Sequence, residues 1–490
     1  IRVENNSKAV SAYYVADVSV EGQKIREALA KTLPEYMIPT YLMQIDRIPV
    51  TTNGKLDKRK LPWIVAKSEA FYVAPANKQE ELVCRLFAEI LGLDRVGVDD
   101  GFFVLGGDSI KAIRIISGLR QEGYEISLKQ VMGGRTPRNI AKLLIESIEK
   151  EAIQYEQGEV TGAVEKVPML QYFANWNLVN ESQFNQAMLI PVGEAAEEQV
   201  KKALQAVTEY HDMLRAVYQD GSLVIRPVQG ETLYEFVSCD YGVKTKEELE
   251  QICKEQQRSM DLANGPMVHG VYYHSSMAKE QQENFLLVII HHLVVDGVSF
   301  SILAQDLQTA CSQLITGQDI VLPKKTASYQ QWADVLMKES KAKAQKDKEY
   351  WKQVTGQLEA IHYERGNEGQ QEHDGKQSGN RKVTFVLDEA LTTNLLENAN
   401  VPYGTKPEEL LVSGLARAVC ETFHSSQAGI WMEGHGREEL KEGFATDRTA
   451  GWFTTLYPIV LPCGETIDDC IIATKDTIEE CHRMAEALDC

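Results

Sequence analysis

Two short stretches of this chain combine residue types that could do chemistry. In Phe102-Phe103-Val104-Leu105-Gly106-Gly107-Asp108-Ser109-Ile110, two glycines precede a serine at the start of an apolar-striped segment. The glycines let the backbone turn tightly and leave the serine uncovered. Asp108 suits a helix N-cap, so Ser109 projects from a helix N-terminus, where amides and the dipole favour an attached phosphate. Taken alone, the same pattern also describes a capped helix with an inert serine. In the second stretch, His291-His292-Leu293-Val294-Val295-Asp296-Gly297 follows the apolar run Phe285–Ile290. His292 therefore stands where a buried strand opens into a loop, a common address for catalytic groups. A core histidine is the plainer alternative, more so for His291 than for His292. No further His, Cys or Asp cluster falls at ligand spacing, so no metal centre is expected.

The elements that must position these residues follow from apolar spacing. Tyr13–Ser19 reads as a strand and Gly22–Thr32 as a helix stopped by Pro34 and Pro39. Residues 75–148 carry three apolar stripes: Leu82, Leu86, Ile90 and Leu91; Ile110, Ile113, Ile116 and Leu119; Ile140, Leu143, Leu144 and Ile148. Thr136 and Pro137 mark a helix start, and the whole suits a small bundle. From Val164 onward the pattern is mixed α/β, with a helical stripe of Ile302, Leu303, Leu307, Ala310 and Leu314, a charged helix over Lys338–Trp351 and a strand-like Arg381–Leu387. Residues 64–74 and the polar stretch 149–163 read as linkers.

Composition narrows the function class. The chain has 490 residues and a net charge of −20, which argues against nucleic-acid binding through a basic face. No window is apolar enough to span a bilayer and no signal peptide is present. Nine cysteines without a CxxC pair read as reduced thiols of a cytoplasmic protein rather than a disulfide framework. The start at Ile1, partway into a fold, suggests a fragment of a multidomain chain.

The Gly106-Gly107-Asp108-Ser109 segment resembles the peptidyl carrier protein of nonribosomal peptide synthetases, whose signature is Gly-Gly-Asp/His-Ser, and the resemblance covers residues 75–148. It implies a four-helix carrier bundle bearing 4′-phosphopantetheine on Ser109, attached by a phosphopantetheinyl transferase and holding an aminoacyl or peptidyl thioester. The Asp variant typically precedes an epimerization domain, the His variant a condensation domain. Residues 33–62, LPEYMIPTYLMQIDRIPVTTNGKLDKRKLP, resemble the end of an adenylation domain's C-terminal subdomain through LPxYMIP and NGKxD. Lys55 matches the lysine that contacts the adenylate, a role suited to a charged side chain on a glycine-containing turn. NGK alone would read as a hairpin turn, but the match is long. The ATP-binding core is absent, so this α+β remnant is not expected to activate an amino acid by itself.

His291–Gly297 resembles the HHxxxDG motif of the condensation superfamily, which shares the α/β fold of chloramphenicol acetyltransferase. The resemblance makes His292 the base and Asp296, followed by Gly297, the residue whose ion pair shapes the loop. Phe184-Asn185-Gln186, Glu433-Gly434-His435-Gly436-Arg437-Glu438 and Gly451-Trp452-Phe453-Thr454-Thr455-Leu456-Tyr457-Pro458 are similar to epimerization-domain motifs. The α-hydrogen of a thioester is relatively acidic, and inverting the centre needs acid/base groups on opposite sides of one carbon. His292 and Glu433 are the expected pair, with their order of action open. Backbone amides of the HHLVVDG loop are the expected donors to the enolate oxygen.

The expected layout is an adenylation remnant at 1–63, a linker at 64–74, the carrier at 75–148, a linker at 149–163 and an epimerization domain at 164–490. Two later family motifs, GxGYGxL-like and FNYLGQ-like, do not occur, and Ile467–Leu488 resembles the helix before the first of them. The second lobe is therefore expected to be truncated. The expected partners are the rest of the adenylation domain and a downstream condensation domain. Peptide-bond condensation, or a catalytically incomplete docking fragment, are the competing readings.

Overall fold

Helix caps and apolar spacing account for most of the elements that carry the candidate residues. The computed structural model of the protein describes residues 2–4, 7–9, 11–15, 41–45, 72–103, 105–146, 155–176, 178–276, 284–361, 383–400, 402–438, 440–441 and 444–485. The expected helix over Gly22–Thr32, the NGK turn and Lys55 lie outside the described residues. Near the N-terminus, β1 (Arg2–Glu4) and β2 (Ser7–Ala9) pair antiparallel, while β3 (Ser11–Tyr14) runs parallel to β4 (Tyr41–Gln44).

Four helices follow: α1 (Lys78–Leu91), α2 (Ser109–Gln121), α3 (Leu128–Gly134) and α4 (Pro137–Leu143). Asn77, Asp108, Ser127 and Thr136 cap them in turn, each accepting from a backbone amide three residues on. β5 (Tyr124–Glu125) and β6 (Ile145–Glu146) close the unit. Its core holds Val83, Phe87, Phe102, Ala112, Ile115, Leu119 and Ile140. The second expected stripe is half right. Ile116 and Leu119 join this core, but Ile110 is exposed and Ile113 is buried in a different cluster. At about 100° per residue, Ile113 lies about 100° round the helix from Ala112, which faces inward in its place.

The second unit begins earlier than expected. The segment read as a linker, 149–163, is bound from Tyr155 onward. The Tyr155 hydroxyl accepts from the Ala445 amide at 2.8 Å, and Gln157 exchanges two hydrogen bonds with the backbone of Lys325. β7 (Gly162–Ala163) then joins the strands that become β10 and β9. The chain continues through α5 (Pro168–Asn175), β8 (Asn185–Gly193), α6 (Glu197–Tyr210), β9 (Ala216–Gln219), β10 (Ser222–Ile225), β11 (Glu235–Asp240), α7 (Lys246–Arg258), β12 (Val268–His274) and β13 (Asn284–His291). After them come α8 (Gly297–Ile315), α9 (Tyr329–Ala360), α10 (Glu389–Thr393), α11 (Pro407–Phe423), β14 (Gln427–Gly434), β15 (Thr455–Pro462) and α12 (Ile467–Ala485).

The main sheet has the order β11-β12-β13-β8, with β11 parallel to β12 and the other pairs antiparallel. Helices α6 and α8 pack together over it, and Leu204, Leu286, Val288, Ile290, Leu303 and Leu307 are buried between them. β14 and β15 form a separate antiparallel pair flanked by α11 and α12. No described helix is long and apolar enough to cross a membrane.

Two expectations fail here. Residues 383–388 have no ladder partner among the described residues, and Val383, Phe385, Val386 and Leu387 are exposed. Alternation marks the faces of a strand but does not supply a neighbour. Cys420 and Cys463 are joined in a disulfide, against the expectation of reduced thiols throughout. In the fold, Cys420 near the end of α11 and Cys463 just after β15 have Cα atoms 6.5 Å apart, within bridging range; they lie 43 residues apart in sequence, so spacing gave no hint.

Candidate active site

The two adjacent histidines have opposite environments, and the ladder decides which is which. β13 reaches its end with Ile290 opposite Gln186 and His291 opposite Asn185. The His292 amide then donates to the Phe184 carbonyl at 2.9 Å, and the chain turns into a short 3-10 helix. His291 is fully buried. Its Nε2 donates to the Glu181 carbonyl at 2.9 Å, and its Nδ1 accepts from the Leu293 amide at 3.3 Å. Both ring nitrogens are used, so His291 is a neutral structural residue. Burial pushes it down to about 4, from 6.5.

That shift has a testable sign. The unfolded chain takes up a proton near pH 6.5 and the folded chain only near 4, so stability contributed by the neutral ring is present above 6.5 and lost as pH falls through that window. The expected loss is about 3 kcal/mol at most. The urea midpoint of the protein should fall between pH 6.5 and 4 more steeply than that of a His291→Gln variant; parallel curves would refute the assignment.

His292 is instead partly exposed and walled by aromatic rings. Phe184 stacks on it at 4.9 Å and 10°, and Trp452 lies 4.8 Å away at 47°. Its Nε2 is 2.7 Å from the side-chain nitrogen of Gln186. Its Nδ1 is buried without a partner, as is the indole nitrogen of Trp452. Three of the loop amides expected to face an enolate oxygen are otherwise engaged: His292 N with Phe184, Leu293 N with His291 Nδ1, and Val295 N with the His292 carbonyl.

Asp296 is a hub. It caps α8, accepting from the amide and hydroxyl of Ser299 at 2.7 Å each, and takes the Phe453 amide at 3.2 Å. Arg437 completes it, with one guanidinium nitrogen 3.0 and 3.1 Å from the two carboxylate oxygens. The other nitrogen donates to the carbonyls of Thr446 and Thr449, and the guanidinium lies 3.8 Å over the Phe453 ring. Asp296 and Arg437 are both buried. A Cβ on Gly436 would collide with the Phe453 carbonyl, so only glycine lets the 433–438 loop approach this closely. The pair thus ties the loop that follows β14 to the start of α8, just after the turn bearing His292. Glu433 itself is exposed on β14, opposite Leu456. Gly297 opens α8 with free space where a side chain would stand. A second buried network, His211–Asp306–Arg448, fixes the neighbouring 444–454 segment to α8.

Ser109 is the first residue of α2, partly exposed, directly after its N-cap Asp108. The four-helix unit is seated on the second unit. Ile113 of α2 is buried with Val298 and Ile302 of α8, Leu128 packs against them, and Arg120 pairs with Asp447. Ile113 lies one turn after Ser109, and Val298 two residues after Asp296, so the starts of the two helices meet. Arg120→Asp should raise amide hydrogen exchange in the first turns of α2 and α8, and adding Asp447→Arg should restore protection. No change in either variant would show that the pair does not hold the units together.

A family model described as the condensation domain matches residues 166–487, and one described as a phosphopantetheine attachment site matches residues 81–144. The chain belongs to the condensation domain family. A component of the plipastatin synthase of Bacillus subtilis (strain 168) is 34% identical over 490 residues, covering 97% of this chain and 19% of that protein. Tyrocidine synthase 1 of Brevibacillus parabrevis is 32% identical over 493 residues, covering 98% of this chain and 44% of that protein. The chain therefore spans less than half of either relative. Among solved structures, the epimerization domain from the third module of tyrocidine synthetase B is 32% identical at a TM-score of 0.59, over 68% of this chain and 76% of that one. The condensation domain of a Monacolin K polyketide synthase, at 16% identity and a TM-score of 0.51 over 67% and 75%, shares the fold. The chain thus carries a nonribosomal peptide synthetase carrier and a condensation-superfamily domain.

The carrier region implies a 4′-phosphopantetheine group, and the residues around Ser109 fit one. Gly107 lies so close to the Phe102 ring that a Cβ would overlap it, which keeps the loop tight below the serine. The Lys111 ammonium, 3.7 Å from the Asp108 carboxylate, bridges back to the Gly106 carbonyl. A helix N-terminus and a nearby cation suit a phosphodiester. Among the described residues no group of His, Cys, Asp and Glu is arranged to hold a metal ion.

The sequence implied an ion pair at Asp296 but not its partner Arg437, 141 residues away. Gln186 and Trp452 both stand in motif-like stretches, and both touch His292. Membership of those stretches was the available signal; nothing in the spacing said which side chains meet.

Proposed function

We propose that this chain is a carrier–epimerization unit that inverts the α-carbon of an aminoacyl or peptidyl thioester held on Ser109. The observation that carries the reading is the buried Asp296–Arg437 pair, which ties the loop after β14, the strand carrying Glu433, to the start of α8 beside the His292 turn. This supports a shared site for the two residues, since inversion requires acid/base groups on opposite sides of one carbon. The likeness to an epimerization domain at 32% identity supports it. 4′-Phosphopantetheine supplies the thiol that carries the substrate. His292 moves a proton at one face of the α-carbon and Glu433 at the other, while Phe184 and Trp452 hold the imidazole in place.

In this reading residues 75–148 are a four-helix peptidyl carrier and 164–490 the epimerization domain together with the bound segment 155–163, with residues 64–74 and 149–154 as connections. Residues 1–63, including Lys55, are the end of an adenylation domain whose remainder is a partner, together with a downstream condensation domain. Condensation is the second reading, since the matching family model bears that name.

The chain, loaded with an aminoacyl-phosphopantetheine by a phosphopantetheinyl transferase, should exchange the α-hydrogen of its cargo in deuterated water and accumulate the D-isomer. Ser109→Ala should gain no mass on loading and show no exchange. Peptide-bond formation without exchange would favour condensation instead, and mass gain by Ser109→Ala would displace the attachment site.

A further inference from the structure

Among the described residues, the side chain of Gln186 is the polar group set directly on His292, and it sits on Nε2. His292 Nδ1 is sealed inside the fold without a partner, so chemistry at this ring must use Nε2. At Nε2 the Gln186 nitrogen stands 2.7 Å away. An amide nitrogen can only donate, so Nε2 is the acceptor and the neutral ring carries its proton on Nδ1. The placement is rigid. Gln186 lies opposite Ile290 in the β8–β13 ladder, and the His292 amide is tied to the Phe184 carbonyl two residues before Gln186. Other side chains shown against the ring, Phe184 and Trp452, bring no charge, and the preceding His291 is held neutral by burial.

We propose that Gln186 is the positioning residue of His292, selecting the tautomer with its lone pair on Nε2 and serving both protonation states of the ring. The inference rests on the reading of His292 as an acid/base residue. When Nε2 takes the α-proton, the C–H electron pair stays with the substrate and the nitrogen becomes a donor. A glutamine then turns its amide and accepts from that N–H through its carbonyl oxygen; when the proton is returned, the amide turns back. A group with one function alone suits only one of these states, and in the resting protein the amide must leave the lone pair before the α-hydrogen can approach it.

The test is nitrogen-15 NMR of the imidazole rings in the unloaded full chain, with Gln186→Met and the near-isosteric Gln186→Glu beside the parent. The parent should show His292 with Nδ1 protonated and Nε2 bare at high pH. Gln186→Met should mix the tautomers. Gln186→Glu, an acceptor only, should move the His292 titration midpoint up by on the order of one pH unit. In loaded protein the acid limb of α-hydrogen exchange should move up with it, and Gln186→Met should slow exchange at least tenfold. Unchanged His292 resonances and midpoint in both variants would overturn the proposal, whatever exchange does. Altered resonances in a chain whose parent shows no exchange would uphold the positioning role and remove the epimerization reading instead.

Discussion

His292→Ala should slow α-hydrogen exchange by about 10²–10⁴-fold, the usual contribution of a positioned acid/base group, while loading on Ser109 continues. The choice of this histidine over its neighbour rests on hydrogen bonding. His291 spends both nitrogens on Glu181 and Leu293 and is driven neutral by burial. His292 is instead partly exposed between the Phe184 and Trp452 rings, with Gln186 on its Nε2. A change at His291 should cost stability before it costs chemistry. Glu433→Gln should abolish net inversion but leave exchange from the one enantiomer that His292 serves, which would also show which residue acts on the L-isomer. Exchange at the parental rate in His292→Ala, with loading verified by intact mass, would refute the assignment.

Arg437→Met should destabilise the second unit by about 3–5 kcal/mol, because it leaves the Asp296 carboxylate buried without its cation. The cost is concentrated here because one carboxylate serves four purposes: it caps α8, binds Ser299, takes the Phe453 amide and holds Arg437. Arg437 in turn ties down the Thr446 and Thr449 carbonyls. The variant should also lose exchange, since the loop after β14 is no longer tied to the start of α8 beside His292. Asp296→Asn with Arg437→Met should recover part of the stability, the buried charge being gone, but not the exchange. A urea midpoint within the error of the parent for Arg437→Met would show that the pair contributes neither.

The local features of this protein were legible in its sequence because local physics sets them. Asp108 and Thr136 cap the helices they were expected to cap, Ser109 opens α2, and Phe285–Ile290 is the buried strand that delivers His292. Each depends on backbone amides and apolar periods within a few residues. What failed depended on partners far along the chain. The stretch 383–388 alternates but pairs with no described strand. Cys420 of α11 meets Cys463, just past β15, only once the chain has folded. Tyr155 belongs to the second unit through Ala445.

The same division runs through the candidate site. Residue types and spacing alone placed a serine at a capped helix start and a histidine at a strand exit, since such placement is written in the residues immediately around each; the proposal that both are reactive came from the family resemblance. Only the tertiary structure decided that Arg437 is the partner of Asp296, that Gln186 sits on His292 Nε2, and that Ile113 faces α8 rather than its own core. Contacts of this kind carry no period and no local energy. They arise when separate elements pack, and burial then makes a particular pairing of charge, donor or methyl group the stable one.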